Sequence, residues 1–536
     1  MHTTLDRRDF LQRLAVVGIG TAGCLTAFTQ PVWAIAADAG GLPRSLPAAQ
    51  GVASQGLLEF LEAIEASGQS LHSLMVVRHG QVVAEGWWAP YAPELRHTLY
   101  SLSKSFTSTA VGLAADAGLL TLDDKVVSFF PDDLPASVSD NLAAMRVKDL
   151  LMMGSGHAKE ALFGAGLLPP EQDWVKAILA QPVEFAPGTH FVYNNACSYL
   201  LSAIVQKVSG QTELDFLGSK LFEPLGIQGA DWEIGSRGVN TGGWGLRVKT
   251  EDIAKLGQLY LQKGIWNGKR LLSEDWIDQA TKLQIRNAKE GDAGAAMSDW
   301  GQGYGYQFWR SRHGGFRGDG AFGQFCLVLP KQDAVIAITG EYGDMQAVLN
   351  AVWKHLLPAL EGGKESSDSA GTQAQLAKKL ASLALPLPAG ETASPIADRA
   401  ATQTFEVAAN KLGVKRVSLA FDKDKLAFTL LDDQGEHRVE CGMCRWIVGE
   451  TDLSAVPLKL VPTVGPGESK MKLAASAAWS DEHTLVMFWR FIETAHYQSV
   501  TCRFDRDEVR VEFKKSLAIL NPGTHDGRPV LVGKQP

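Results

Sequence analysis

The stretch Ser101-Leu102-Ser103-Lys104-Ser105-Phe106-Thr107-Ser108-Thr109-Ala110-Val111-Gly112-Leu113-Ala114-Ala115 decides the fold. Its residues are small or apolar, and Gly118 follows where a left-handed cap is expected, so it predicts a buried helix. On a helix, positions three apart lie on one face about a turn from each other, which brings the Lys104 amine within reach of the Ser101 hydroxyl. A serine hydroxyl is a poor nucleophile at neutral pH without a base, and a lysine serves as one only if burial or neighbouring cations hold it partly neutral. Phe106, Ala110, Val111, Leu113, Ala114 and Ala117 supply the burial. A serine three before a lysine is also a common chance pattern on solvated helix faces, so the reading needs support from elsewhere in the chain.

Two segments give it. Phe185-Ala186-Pro187-Gly188-Thr189-His190-Phe191-Val192-Tyr193-Asn194-Asn195 is a Pro-Gly turn leading to a tyrosine and an asparagine two apart, ahead of the apolar helix from Ser198 to Val205. Tyr193 and Asn195 therefore stand on a loop at a helix start, where their ordinary roles would be aromatic packing and N-capping. Further on, Arg317-Gly318-Asp319-Gly320-Ala321-Phe322-Gly323-Gln324 runs into the strand Phe325 to Leu329. Glycines entering a strand permit a ligand to approach backbone N–H groups.

These three segments, in this order, resemble the serine hydrolases built like class C β-lactamases. That family includes penicillin-binding DD-peptidases, family VIII esterases and 6-aminohexanoate-dimer hydrolases. The resemblance extends through Gly118 to Val126, Val147 to Gly156, Pro224-Leu225-Gly226-Ile227 and Asp252 to Gly257, from about residue 50 to about residue 360. Gly242-Gly243-Trp244-Gly245-Leu246-Arg247 and the tract Leu259 to Arg270 look most like the 6-aminohexanoate-dimer hydrolase branch. The resemblance implies an α/β (α+β) fold, an antiparallel sheet flanked by helices beside a helical lobe, with the active site in the cleft between them. It assigns Ser101 to attack on a carbonyl, Lys104 and Tyr193 to shared proton work, and Asn195 to orienting Lys104 or the substrate carbonyl. A tyrosine, with a reference pKa of about 10, needs a nearby positive charge to act as a base near neutrality, and Lys104 is the expected neighbour.

The third motif departs from the β-lactamases. Gly318-Asp319-Gly320 stands where those enzymes carry Lys-Thr-Gly, so the cation that helps hold a substrate carboxylate is absent. What the resemblance leaves at this strand edge is the Ala321 N–H, paired with the N–H of Ser101 as a two-donor oxyanion hole.

The chain has 536 residues, 45% hydrophobic and 21% charged, enough for a sizeable core and more than one domain. A formal net charge of -8, with no basic run interleaved with aromatics after the N-terminus, argues against a nucleic-acid surface. No apolar run after residue 40 is long enough to span a bilayer. Arg7-Arg8-Asp9-Phe10-Leu11 ahead of the apolar stretch Leu14 to Phe28 resembles a Tat export signal, with small residues for cleavage near Ala34 and Ala36, or a lipoprotein site at Cys24. Removal of that segment leaves Cys197, Cys326, Cys441, Cys444 and Cys502, an odd number in which at least one thiol is free. Cys441 and Cys444 read as buried thiols or partners in a disulfide of the C-terminal region, and Cys197 as a small buried residue.

The expected organisation is a signal peptide over 1–36, a hydrolase domain over 37–362, a Gly/Ser-rich linker over 363–395 and an antiparallel β domain, sandwich or barrel, over 396–530. Leu74 to Arg78 and Val82 to Gly86 predict a strand pair around His79-Gly80-Gln81. The expected activity is cleavage of a small-molecule or short linear amide or ester through a Ser101 acyl-enzyme, in the periplasm or beyond, without metal or cofactor. Two alternatives stand beside it: a DD-peptidase or weak β-lactamase acting on peptidoglycan-like substrates, and a non-catalytic binding module that keeps the fold.

Overall fold

The computed structural model describes residues 40–162, 172–289, 291–362, 369–399, 402–453, 468–520 and 525–536. The export signal read over residues 1–36 lies outside the described residues, as does Cys24.

Long apolar runs near both ends of the hydrolase region meet in one six-stranded antiparallel sheet. Its strands are β1 (Ser70–Arg78), β2 (Gln81–Trp87), β3 (Trp309–Arg310), β4 (Phe316–Gly320), β5 (Gln324–Leu329) and β6 (Ala334–Glu341), in the order β2-β1-β6-β5-β4-β3. His79 and Gly80 both take positive φ, 51° and 74°, the left-handed turn that a tight hairpin between β1 and β2 requires. Val76 pairs with Ile336 and Met75 with Ala337 across the centre of the sheet.

Helices α1 (Ser54–Ser67), α2 (Ser103–Asp116), α3 (Asn195–Ser209), α4 (Thr250–Leu261) and α5 (Met345–Ala351) cover both faces. Leu57, Phe60 and Leu61 of α1 join Val348 and Leu349 of α5 on the face that carries Leu74, Val76, Ile336 and Ile338. The opposite face, with Met75, Val77, Val335 and Ala337, packs against Phe106 of α2 and Ile253 and Leu256 of α4, and α3 lies against α2. Because both faces are covered, β5 and β6 are buried at every position.

The segment expected to be a linker is in part docked structure. Helix α6 (Ala370–Ala381) buries Leu376, and Leu380 and Leu383 close over Gly86 of β2. Its Ala, Gln, Lys and Leu residues are strong helix formers, which the flanking Gly/Ser composition obscures.

The C-terminal region is a barrel of consecutive antiparallel strands: β7 (Thr402–Val407), β8 (Arg416–Asp422), β9 (Lys425–Leu431), β10 (Glu436–Met443), β11 (Ile447–Thr451), β12 (Met471–Asp481), β13 (Thr484–Phe491), β14 (Tyr497–Asp505), β15 (Glu508–Lys515) and β16 (Leu531–Lys534). β16 pairs with both β7 and β15, and β10 meets β12 in parallel over Gly442 and Met443, so the sheet closes on itself with β11 outside the ring. The last strand lies beyond the expected boundary at residue 530. Val417, Leu419, Phe428, Trp489, Val500 and Val511 fill the interior. The five cysteines Cys197, Cys326, Cys441, Cys444 and Cys502 are all free thiols, so the disulfide considered for the C-terminal region does not form. Among the described residues no helix is long and apolar enough to cross a membrane.

Candidate active site

Ser101 occupies a single 3-10 turn, Tyr100–Leu102, that runs directly into α2. Its predecessor Tyr100 has φ 49°, a left-handed conformation that costs an aromatic residue on the order of 1–3 kcal/mol and persists only where the surroundings enforce it. Lys104, in the first turn of α2, is buried, 1% exposed. Its Nζ lies 3.1 Å from Ser101 Oγ, 2.7 Å from Asn195 Oδ1 and 2.7 Å from the carbonyl oxygen of Gly243. Burial lowers its pKa to about 7, opposed by the negative charge of Glu160. A neutral amine has two N–H donors and one lone pair. The two short contacts use the donors, and the lone pair is left for the Ser101 hydroxyl, which then donates to it.

Each partner of Lys104 is positioned by local structure. Two consecutive asparagines open α3, and Asn194 rather than Asn195 is the N-cap, accepting the Ala196 N–H at 3.0 Å. Asn195 is thereby released from capping; its backbone N–H donates to Glu160 Oε1 at 3.1 Å and its side chain turns to Lys104. A Cβ on Gly243 would stand 3.1 Å from both Lys104 Nζ and Asn195 Oδ1, so glycine there lets the carbonyl reach the amine.

The Tyr193 ring lies over Lys104, with Nζ 5.0 Å from its centroid, and stacks on Trp309 with centroids 5.4 Å apart. Its hydroxyl faces that of Ser101. Desolvation pushes this phenol above its ordinary range, the Ser101 hydroxyl opposing the shift and Asp319 adding to it. The expectation was a tyrosine made basic by a lysine cation; here burial lowers the lysine toward neutrality and raises the phenol.

Arg317 to Gly320, read as the approach to the strand at Phe325, is itself a strand, part of β4, and Ala321 begins the turn to β5. The glycines make room for the nucleophile segment. A Cβ on Gly318 would fall 2.1 Å from Leu102 Cδ1, and one on Gly320 would fall 2.1 Å from the Leu99 carbonyl oxygen. Gln324 Nε2 donates to the Ala321 carbonyl at 3.0 Å and fixes this turn beside Ser101's segment. Asp319 accepts from Arg317 Nε at 2.8 Å; burial raises its carboxyl to about 6 against the pull of the arginine. Arg317 is fully buried, its Nη1 donating to the Asp299 carbonyl at 3.0 Å and to Ser311 Oγ at 2.9 Å, and its guanidinium lies 4.7 Å from the Trp300 ring centroid.

Ser101, Lys104, Tyr193 and Asn195 are thus gathered at one place, with Gly318, Gly320 and Ala321 on the adjoining strand and turn. Gly243 and Glu160 were not read from the sequence as site residues. Gly243 contributes a carbonyl, which any residue has, and its only signal was its place in a Gly-rich motif. Cys197 is buried and its thiol is pushed up to about 12, as suits a packing residue.

A serine beside a buried, near-neutral lysine and a protonated phenol defines a serine hydrolase of the amidase and esterase kind. The chain belongs to the Beta-lactamase family, which it matches over residues 63–352, more than half its length. It is 25% identical over 288 residues to a 6-aminohexanoate-dimer hydrolase of Paenarthrobacter ureafaciens, covering 51% of this chain and 73% of that protein. It is 28% identical over 176 residues to a D-aminopeptidase of Brucella anthropi, covering 30% of this chain and 32% of that enzyme, so only about a third of the aminopeptidase is spanned. The octameric penicillin-binding protein homologue from Pyrococcus abyssi superposes with a TM-score of 0.46 at 16% identity, over 90% of this chain and 99% of that one.

Proposed function

We propose that the protein cleaves a small or short linear amide or ester through an acyl-enzyme on Ser101. The observation that carries this reading is the Lys104 amine, brought to about 7 by burial and held by two acceptors so that its lone pair faces Ser101 Oγ. Ser101 Oγ bonds to the substrate carbonyl carbon as its proton passes to Lys104. The N–H groups of Ser101 and Ala321 receive the developing oxyanion. The Tyr193 hydroxyl gives its proton to the leaving nitrogen or oxygen and regains one from the Lys104 ammonium, which restores the neutral pair. Water then attacks the acyl carbonyl as its proton passes to Lys104; the bond from the acyl carbon to Oγ breaks, the ammonium returns the proton to Ser101 Oγ, and the acid product leaves.

Likeness to a 6-aminohexanoate-dimer hydrolase supports a short amide substrate. The Gly318-Asp319-Gly320 strand offers no cation for a β-lactam carboxylate, which weighs against the DD-peptidase and β-lactamase alternative. The Lys104 amine at Ser101 Oγ, held there by Asn195 and the Gly243 carbonyl, weighs against a binding module. A fluorophosphonate probe tests the nucleophile: mass spectrometry should place the label on Ser101, and Ser101→Ala should abolish it. Hydrolysis of p-nitrophenyl esters and a linear amide dimer, against nitrocefin and a D-Ala-D-Ala peptide, tests the substrate class.

Export through the twin arginines is a second part of the proposal. Fractionation should find the protein outside the cytoplasm with its N-terminus near residues 35 to 38, and replacing Arg7 and Arg8 by lysine should retain it inside.

A further inference from the structure

Hairpin loops ordinarily face water. The loop between β13 and β14, residues Ile492 to His496, does not: its five residues are each at most 4% exposed. The loop reaches from the barrel to the chain just before the nucleophile. The Thr98 N–H donates to the Glu493 carbonyl at 2.9 Å, and the Tyr91 hydroxyl donates to the Thr494 carbonyl at 3.0 Å. His496 goes furthest. Its Nδ1 lies 2.7 Å from Glu341 Oε1, at the end of β6, and its Nε2 lies 2.6 Å from the Tyr100 hydroxyl. A carboxylate accepts only, so Nδ1 carries a proton, and in the neutral ring Nε2 accepts from Tyr100. Ser516 Oγ stands 3.3 Å from Nδ1.

The rings repeat the connection. Tyr100 packs within the barrel's apolar cluster, edge-on to Phe322 with centroids 5.2 Å apart, and Phe322 meets the His496 ring at 4.8 Å. Tyr100 precedes Ser101, and Phe322 follows Ala321. The two N–H groups assigned to the oxyanion are therefore each flanked by a residue whose ring packs on His496. Tyr100 also holds the left-handed φ of 49°, and the hydroxyl bond at the far end of its side chain is a constraint able to keep it there.

We infer that His496, oriented by Glu341, is a positioning residue: through Tyr100 and Phe322 it sets the peptide groups that receive the oxyanion, so the barrel is part of the catalytic machinery. The inference rests on the reading of Ser101 as the nucleophile. It gives the C-terminal region a role that does not require contact with substrate.

The test measures kcat and KM on a p-nitrophenyl ester, the rate of fluorophosphonate labelling of Ser101, and Tm, in Tyr100→Phe, His496→Gln, His496→Ala and Glu341→Gln. Tyr100→Phe and His496→Gln should lower kcat and the labelling rate by about tenfold to a hundredfold, as small misplacements of a reacting site do, with KM within about twofold. His496→Gln, which keeps an acceptor for the Tyr100 hydroxyl, should retain more activity than His496→Ala. The double variant Tyr100→Phe/His496→Gln should be no slower than its worse single, because both act through one bond. Folded variants with lower Tm but kcat and labelling within about twofold of the parent would overturn the inference and leave His496 a docking residue. Should the histidine variants fail to fold, Tyr100→Phe, which keeps the ring, reads the same bond from the other side. A parent protein that takes no label at Ser101 would overturn the functional reading and this inference with it.

Discussion

The two β structures of this chain are built to opposite rules. In the hydrolase sheet β5 and β6 are buried at every position, because helices cover both faces. In the barrel, β9 and β15 alternate buried and more exposed residues, because only the inner face meets a core. The sheet can therefore place backbone against backbone, as β4 does with the nucleophile segment, and there a single added carbon is felt. The barrel has an outer face open to substitution, and one of its buried loops reaches the chain just before the nucleophile. Chemistry sits where the packing tolerates least.

The sharpest break of that contrast would come at the catalytic floor. Lys104→Met should lower kcat by about 10⁴-fold, the upper range for removal of a general base. It should also raise stability. The buried amine titrates at about 7, against 10.5 as the ordinary value, so below pH 7 the folded state bears the full penalty of holding it. Between pH 7 and 10.5 the unfolded chain binds the extra proton, so the parent gains stability as pH rises. The Tm advantage of Lys104→Met should accordingly be largest at or below pH 7 and fade toward 10.5, which thermal melts across that range will read. A variant no more stable than the parent at pH 6 would mean that the amine is not neutralised by burial. In the parent, kcat/KM should climb with pH through a midpoint near 7 as the lysine loses its proton; a flat profile from pH 5 to 9 would assign the base elsewhere.

Tyr193→Phe should act less severely, lowering kcat by about 10²-fold on an amide, and by less on an ester with a good leaving group, which needs little protonation. Equal losses on both substrates would move the tyrosine from proton donor to packing.

The smallest effects compare the two β structures directly. Gly318→Ala, whose Cβ would fall 2.1 Å from Leu102 Cδ1, should destabilise by about 1–3 kcal/mol and depress activity. Gly449→Ala on β11, with no atom within 4 Å of the added carbon, should change stability by less than about 0.5 kcal/mol. Denaturant unfolding of the pair reads the difference. Similar values would show that the covering helices give way, and the contrast between sheet and barrel would lose its basis.

What could be read in advance follows the range of the interactions. Ser101 and Lys104 are related by a single helical turn, and Tyr193 and Asn195 by a short motif, so local spacing made them candidates and the family resemblance assigned their roles. The alternation of Val417 and Leu419 likewise announced a strand with one wet face. Gly243 escaped because it acts through its carbonyl, and Glu160 because only the folded loop carries its charge to Lys104. Neighbouring asparagines exchanged roles, since capping by Asn194 depends on a backbone angle that composition does not encode. Helix α6 was hidden between Gly/Ser-rich and Pro-rich stretches, and His496 meets Tyr100 across nearly four hundred residues of chain, where no local pattern reaches.

Gly318 also bears on the routes by which this chain can change. A lysine at that position would restore the first residue of the third motif of the β-lactamases, yet its Cβ would meet the buried side chains of Leu102 and Ser105, at 2.1 Å and 2.8 Å. Leu102 belongs to the same turn as the nucleophile, and its side-chain end would have to turn away before the new side chain could enter. Acquiring the cation is therefore tied to repacking the side chains of Leu102 and Ser105, and a smaller residue at 102 would ease its entry. The buried neighbours of the nucleophile, more than the surface of the cleft, set how readily that strand can take a new charge.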